Sequence, residues 1–252
     1  GGGLAGMEAA RVAALRGHDV VLFEAQPKLG GTINIAAKLP TRHGIADIAF
    51  WLEAEIYRHG VDVRLSSYVD QDEILAERPD AVIVATGSMP RMDGIQNSNP
   101  GEPIEGVDAP HVLSSTDLLM EGRNWRGSSA VVLDDLGHYE AAGVADLLVR
   151  EGADVIFVTP FTSFAPKVEN ALMTEPVLER MAKAEGNFTL LTRHRIRKIG
   201  NDQVEIAPTF DGPSFAVPSE TVVLVTPNSP LRDIYELFDG KGAELGIVGD
   251  AN

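Results

Sequence analysis

The opening stretch, GGGLAGMEAARVAALRGHDVVLFE, constrains the fold more than any other part of the chain. Gly1, Gly3 and Gly6 stand at G-x-G-x-x-G spacing. A helix-like run from Met7 to Leu15 follows, then a break at Gly17-His18, a β-rich run from Val20 to Phe23, and Glu24. Glycines at this spacing allow a tight turn and let backbone N–H groups approach a diphosphate that a Cβ would hold off. A helix starting there aims the positive end of its dipole at the same anion. Glu24, eighteen residues past Gly6, stands where a carboxylate accepts hydrogen bonds from an adenosine ribose. A lone glycine pattern is weak evidence in a chain with 25 Gly, but here helix, strand and acid follow it in order. The strand that ordinarily precedes such a turn is not in the sequence, so the chain is expected to be a piece of a longer polypeptide.

Beyond Glu24, Pro27-Lys28-Leu29-Gly30-Gly31 is a turn signal, read as a loop lying along the cofactor. Ile45, Ile48, Ala49, Leu52 and Ile56 recur at helical spacing, with Phe50, Trp51 and Tyr57 expected near the same apolar stripe and in the core. Val61 to Leu65 alternates as a strand, and Ala81 to Gly87 reads as a strand buried on both faces that ends in Ala-Thr-Gly. Residues 93–110 are rich in Gly and Pro without periodicity, the natural place for a domain boundary.

The opening pattern then returns. Ala130 to Leu133 reads as a strand, Tyr139 to Val149 as a helix stopped by Gly152, and Val155 to Val158 as a strand. Such an internal repeat points to two nucleotide-fold modules. The copy is degenerate, with Asp134-Asp135-Leu136-Gly137-His138 where phosphate-cradling glycines would stand and Thr159-Pro160 in place of a ribose-binding acid. Two carboxylates in a turn built for anions repel a diphosphate, which puts NAD(P)H binding in doubt. Residues 170–185 read as a helix, Ile196–Ile199 and Val204–Ile206 as a hairpin, Thr221 to Thr226 as a buried strand, Leu231 to Phe238 as a short helix, and 245–250 as a strand ending in Gly-Asp.

Composition excludes several classes. A formal net charge of −16 argues against nucleic acid or an anionic membrane surface as a partner. With no Cys there is no disulfide, thiolate metal site or cysteine nucleophile in these residues. No apolar run is long enough to span a bilayer and no signal peptide opens the chain, so a cytoplasmic location is expected. The six His show no metal-ligand spacing, and no residue stands out as catalytic.

Taken together, GGGLAGMEAARVAALRGHDVVLFE, the KLGG turn, VIVATGSMPRMDG, VVLDDLGHYEAAGVADLLVREGADVIFVTP and the terminal GIVGDA resemble the carboxyl-terminal half of an NADH:flavin oxidoreductase family. That family contains trimethylamine dehydrogenase, histamine dehydrogenase and 2,4-dienoyl-CoA reductase. The resemblance implies an α/β fold of two Rossmann-like modules, the second inserted into the first. Residues 1–110 with 217–252 would form an FAD- or ADP-binding domain and 111–216 the inserted NAD(P)-type domain. Gly1, Gly3, Leu4, Ala5, Gly6, Glu24, Ala25, Gly30, Gly31, Thr32, Ala85, Thr86, Gly87 and Asp250 would line the FAD or ADP site, with Asp250 reaching a ribityl or phosphate oxygen. An upstream barrel would carry FMN, a [4Fe–4S] cluster and the substrate site. The Asp-Asp turn is similar to the amine-dehydrogenase branch, in which electrons leave to a protein acceptor. A homo-oligomer is expected. The alternatives are an ADP-binding docking platform that does no redox work and a self-contained pyridine-nucleotide reductase, the latter disfavoured by the missing cysteine pair.

Overall fold

The glycine turn opens directly into a helix. A computed structural model of the protein, which describes residues 1–238 and 244–252, places Leu4–Leu15 in that helix and Val21–Phe23 in the strand beyond it. By its internal contacts the chain divides into two units, residues 1–89 with 228–252, and residues 90–227.

In the first unit, Val21–Phe23 pairs in parallel with Asp62–Arg64, and Ala81–Val84 pairs in parallel with Glu244–Ile247. Helix Asp47–Arg58 packs against Leu4–Leu15. Between them Met7, Ala10, Leu22, Leu29, Ala49, Leu52, Ile56 and Val61 form one core, which takes Ala49, Leu52 and Ile56 of the expected stripe while Ile48 near its start is exposed. A smaller core joins Val82, Val84 and Phe238. Two further expectations fail here. Phe50, Trp51 and Tyr57 are exposed, Phe50 at 65 %, because they sit on the side of the helix away from Ala49 and Ile56. Ala81–Val84 is buried on one face only, with Ala81 and Ile83 exposed, and the strand ends before Ala85.

The second unit is a five-stranded parallel sheet in the order Val112–Ser114, Thr221–Val225, Ser129–Asp134, Asp154–Thr159, Asn187–Thr192. Helices Ser115–Glu121, Tyr139–Arg150 and Thr174–Ala182 accompany it. An antiparallel sheet of Phe215–Pro218, Gln203–Pro208 and His194–Ile199 completes the unit. Val131, Leu133, Val158, Val222 and Leu224 of the parallel sheet share a core with Ile196, Val204 and Ile206 of the antiparallel one.

The division falls at 89/90 and 227/228, not at 110/111 and 216/217. The Gly- and Pro-rich connector belongs to the second unit because its polar groups are spent there. Buried Gln96 donates from Nε2 to the Ile196 carbonyl (2.7 Å) and accepts the Ile196 N–H at Oε1 (3.0 Å). Ile104 enters the core, and Ile199 N–H donates to the Glu105 carbonyl at 2.7 Å. Gly106, with φ +85°, lies so close to the Ile199 carbonyl that no Cβ fits. The strand at Thr221–Val225 likewise inserts between Val112–Ser114 and Ser129–Asp134 instead of returning to the first unit. No helix among the described residues is long and apolar enough to cross a membrane.

Candidate functional site

Each glycine of the first turn does separate work. A Cβ at Gly1 would collide with the Ala85 carbonyl, and one at Gly6 with the Gly1 carbonyl, so these two let helix, turn and the end of strand Ala81–Val84 close on one another. A Cβ at Gly3 would meet nothing within 4 Å. Open space therefore lies above the residue that caps the helix. No side chain caps Leu4–Leu15 and no acid stands in its first turn, which leaves the amides of Leu4, Ala5 and Gly6 and the positive dipole end to an anion.

Glu24 is the best-anchored side chain of the site. It is 8 % exposed, and its carboxylate accepts the Gly2 N–H at Oε2 (2.6 Å) and the Gln26 N–H at Oε1 (2.7 Å). Each oxygen keeps a lone pair beyond these bonds. Sequence reasoning passed over Gly2, although it stands inside the glycine triplet; its amide ties the turn to Glu24, and Leu29 packs where its Cβ would be.

The KLGG loop comes back to the turn. Gly30 N–H donates to the Gly2 carbonyl at 2.8 Å, and a Cβ at Gly31 would lie 3.1 Å from the Gly3 Cα. Gly30 and Gly31 take φ of +112° and +57°, the left-handed region that glycine tolerates. Asn34 Nδ2, donating to the Leu29 carbonyl at 2.7 Å, fixes the loop, another partner that the sequence reading did not single out. Ala25 and Thr32 flank these groups and are exposed.

Beyond strand Ala81–Val84, Ala85 backs Gly1 and Gly6. The Thr86 hydroxyl is engaged, donating to the Leu231 carbonyl at 2.5 Å, and the Gly87 carbonyl accepts the Leu231 N–H at 2.9 Å. Gly249, at φ +68°, leaves no room for a Cβ beside Ala5, so the turn Gly249–Ala251 with exposed Asp250 lies against the first turn of the helix. Glu24, Ala85 and Asp250 thus follow the carboxyl ends of strands Val21–Phe23, Ala81–Val84 and Glu244–Ile247, which belong to two separate parallel pairs, and open α/β sheets place ligands at such ends. The candidate residues fit a dinucleotide: open amides for a diphosphate, a pinned carboxylate for a ribose, and glycines where a Cβ would intrude.

The second unit's turn has the same strand-to-helix setting and a different interior. Asp134, at the end of its strand, is fully buried; its Oδ1 accepts N–H groups from Leu136 (3.1 Å) and Gly137 (2.7 Å). The Thr159 hydroxyl donates to the Asp134 carbonyl oxygen at 3.1 Å. Burial raises the Asp134 pKa to about 6, against the lowering effect of the Gly137, Leu136 and Thr159 hydrogen bonds. Asp135 is buried too, and desolvation raises its pKa; its Oδ2 accepts the Asn97 N–H at 2.8 Å while Oδ1 has no partner. Among the described residues no cluster of His, Asp or Glu could hold a metal ion.

Residues 1–70 match the model of an NAD(P)-binding Rossmann-like domain. The chain is 32% identical to a probable N-methylproline demethylase of Rhizobium meliloti over 98% of its own length and 35% of that protein's. It is 36% identical to a bilirubin reductase of Mediterraneibacter gnavus, over 100% of its own length and 37% of the other's. Histamine dehydrogenase from Rhizobium sp. 4-9 superposes with a TM-score of 0.90 at 25% identity, covering 100% of this chain and 40% of that one. The chain therefore spans little more than a third of the length of the curated relatives it matches.

Proposed function

We propose that the chain, on its likeness to the probable N-methylproline demethylase, the bilirubin reductase and histamine dehydrogenase, is the dinucleotide-binding portion of a multi-cofactor, flavin-dependent oxidoreductase of the NADH:flavin oxidoreductase family. The observation that carries this reading is the open turn above Gly3 with Glu24 locked behind it. In the proposed site the amides of Leu4, Ala5 and Gly6 hold the diphosphate of FAD or ADP, and Glu24 accepts from the adjoining ribose. Asp250, which follows Gly249 in the turn against Ala5, faces a hydroxyl or phosphate oxygen. The flavin or nucleotide supplies the redox chemistry when bound; this chain's residues bind, orient and shield it. FMN, a [4Fe–4S] cluster and the substrate belong to the remainder of the polypeptide. The relatives' names support an amine-dehydrogenase-like or enoate-reductase-like whole enzyme; that its electrons pass to a protein acceptor is part of the proposal.

Gly3→Asp in the full-length protein tests this. Because a Cβ at Gly3 meets nothing, the substitution leaves the fold intact and places a carboxylate where the diphosphate binds. We expect wild-type protein to release about one adenine nucleotide per chain on denaturation and the variant to release at least tenfold less, consistent with repulsion between close like charges. Chromatography of the released material identifies it as FAD or ADP. Equal nucleotide content in the two proteins overturns the reading.

A further inference from the structure

We propose that Asp134 is a built-in anion that occupies the diphosphate cradle of the second unit and closes that unit to pyridine dinucleotides. In a strand–turn–helix nucleotide site, turn amides are left without protein partners so that a phosphate oxygen can take them. Here two amides of the turn that leads into helix Tyr139–Arg150, those of Leu136 and Gly137, both donate to one oxygen of Asp134. The carboxylate comes from the residue that ends the strand and has no solvent exposure, so it is part of the turn and not a mobile surface acid.

Three further features hold it in place. Gly137 adopts φ +69°, the left-handed conformation that lets its N–H turn back toward Asp134. The other side of Gly137 is covered: a Cβ there would lie 2.8 Å from the Phe161 ring and 3.2 Å from Pro166, and its carbonyl accepts the Lys167 N–H at 2.9 Å. Asp135, buried next to Asp134 with an unpartnered oxygen, adds a second acid to the turn. A dinucleotide entering in the usual pose would have to displace Asp134 from its amides and then lie against two carboxylates. At protein-like dielectric, close like charges weaken binding by roughly a thousandfold. The first unit shows the opposite design, since Glu24 grips Gly2 from behind and leaves the space above Gly3 clear.

The inference rests on the oxidoreductase reading and sharpens it: hydride exchange with NADH or NADPH does not run through the second unit, so electrons reach or leave the flavin by another route. The test uses the full-length protein with its own nucleotide retained in the first unit, titrated calorimetrically with NADH and NADPH. Wild type is expected to show no saturable binding below about 1 mM, and Asp134→Ala to bind at least tenfold more tightly, a lower bound on the gain from removing one of the two close charges. Hydrogen exchange supplies a second measurement that does not depend on a variant: the Leu136 and Gly137 amides of wild type are expected to be protected. Micromolar binding of either dinucleotide by wild type, or fast exchange of those two amides in it, overturns the proposal. So does an Asp134→Ala protein whose two amides exchange freely while binding stays undetectable. None of these outcomes involves adenine-nucleotide content, which decides the first-unit reading separately.

Discussion

Two carboxylates illustrate how position decides what an acid does at a nucleotide turn. Glu24 ends one strand and reaches across to the turn of another segment, so its charge organises the glycines without filling the space they create. Asp134 lies in its own turn and reaches two residues forward, so its charge takes the place a ligand would occupy. The charge of Asp134 was legible from its position among missing glycines; its hydrogen bonds were not, because they depend on the left-handed φ of Gly137 and on burial under neighbouring segments. An aspartate two residues before a leucine-glycine pair is a candidate for this kind of local side-chain turn, and that signal was available. Burial has a consequence for pH. The folded pKa of about 6 exceeds the ordinary 3.8, so the folded state holds the proton more tightly than the unfolded chain. The associated stability is fully present below about pH 4 and is lost as pH rises through 6, a difference of about 3 kcal/mol. Asp134→Asn keeps an acceptor for Leu136 and Gly137 and removes the ionisation. Urea denaturation at pH 5 and pH 8 is therefore expected to show the variant gaining stability relative to wild type as pH rises; a constant difference across that range would refute it.

At the scale of elements, periodicity identified the long helices Leu4–Leu15, Asp47–Arg58 and Tyr139–Arg150, because a stripe at 3.6 residues depends only on local sequence, but it passed over helix Ser115–Glu121 and strands Val112–Ser114 and Asn187–Thr192. What it could not say was which strand pairs with which. Thr221–Val225 reads the same whether it lies in one sheet or the other, and its assignment rests on register with Ala130–Asp134 and Val112–Ser114. The connector misled for a similar reason: Gly94 and Gly106 look like linker residues, yet each marks a close backbone approach, and Gln96 works as a buried bracket for strand His194–Ile199. Helix Tyr139–Arg150 carries a comparable hidden partner. Its Asp146 is buried and accepts two hydrogen bonds at Oδ2 from Arg180 of helix Thr174–Ala182, at 2.9 and 2.8 Å, while Oδ1 has none. Removing the guanidinium leaves an uncompensated charge in the interior. Arg180→Ala is expected to cost about 3–5 kcal/mol in chemical denaturation. A change below about 1 kcal/mol would mean that the helix pair relaxes to hydrate Asp146.

At the scale of the molecule, the two units are built from the chain in different ways, and this has consequences for folding. The first unit needs both ends of the described chain, since Ala81–Val84 pairs in register with Glu244–Ile247 from the far terminus. The second is one continuous segment, residues 90–227, and contains every strand of its parallel and antiparallel sheets. Its core closes on itself: Ile104 from the connector, Val131 and Leu133 from the first strand of the repeat, Ile196 and Ile206 from the hairpin, and Val222 and Leu224 from the last strand are all buried together. One condition for autonomous folding, a private core, is met within that segment. A protein of residues 90–227 is therefore expected to express soluble and to unfold in a single cooperative transition by circular dichroism, with the Asp134-dependent rise in stability toward acid pH retained. Cutting instead at 111 and 216, the boundaries the resemblance implied, removes Gln96, Ile104 and the Thr221–Val225 strand that lies inside the sheet. That shorter segment is expected to show no cooperative transition. Equal cooperativity in the two segments would refute the assignment of the connector and the last strand to this unit's core.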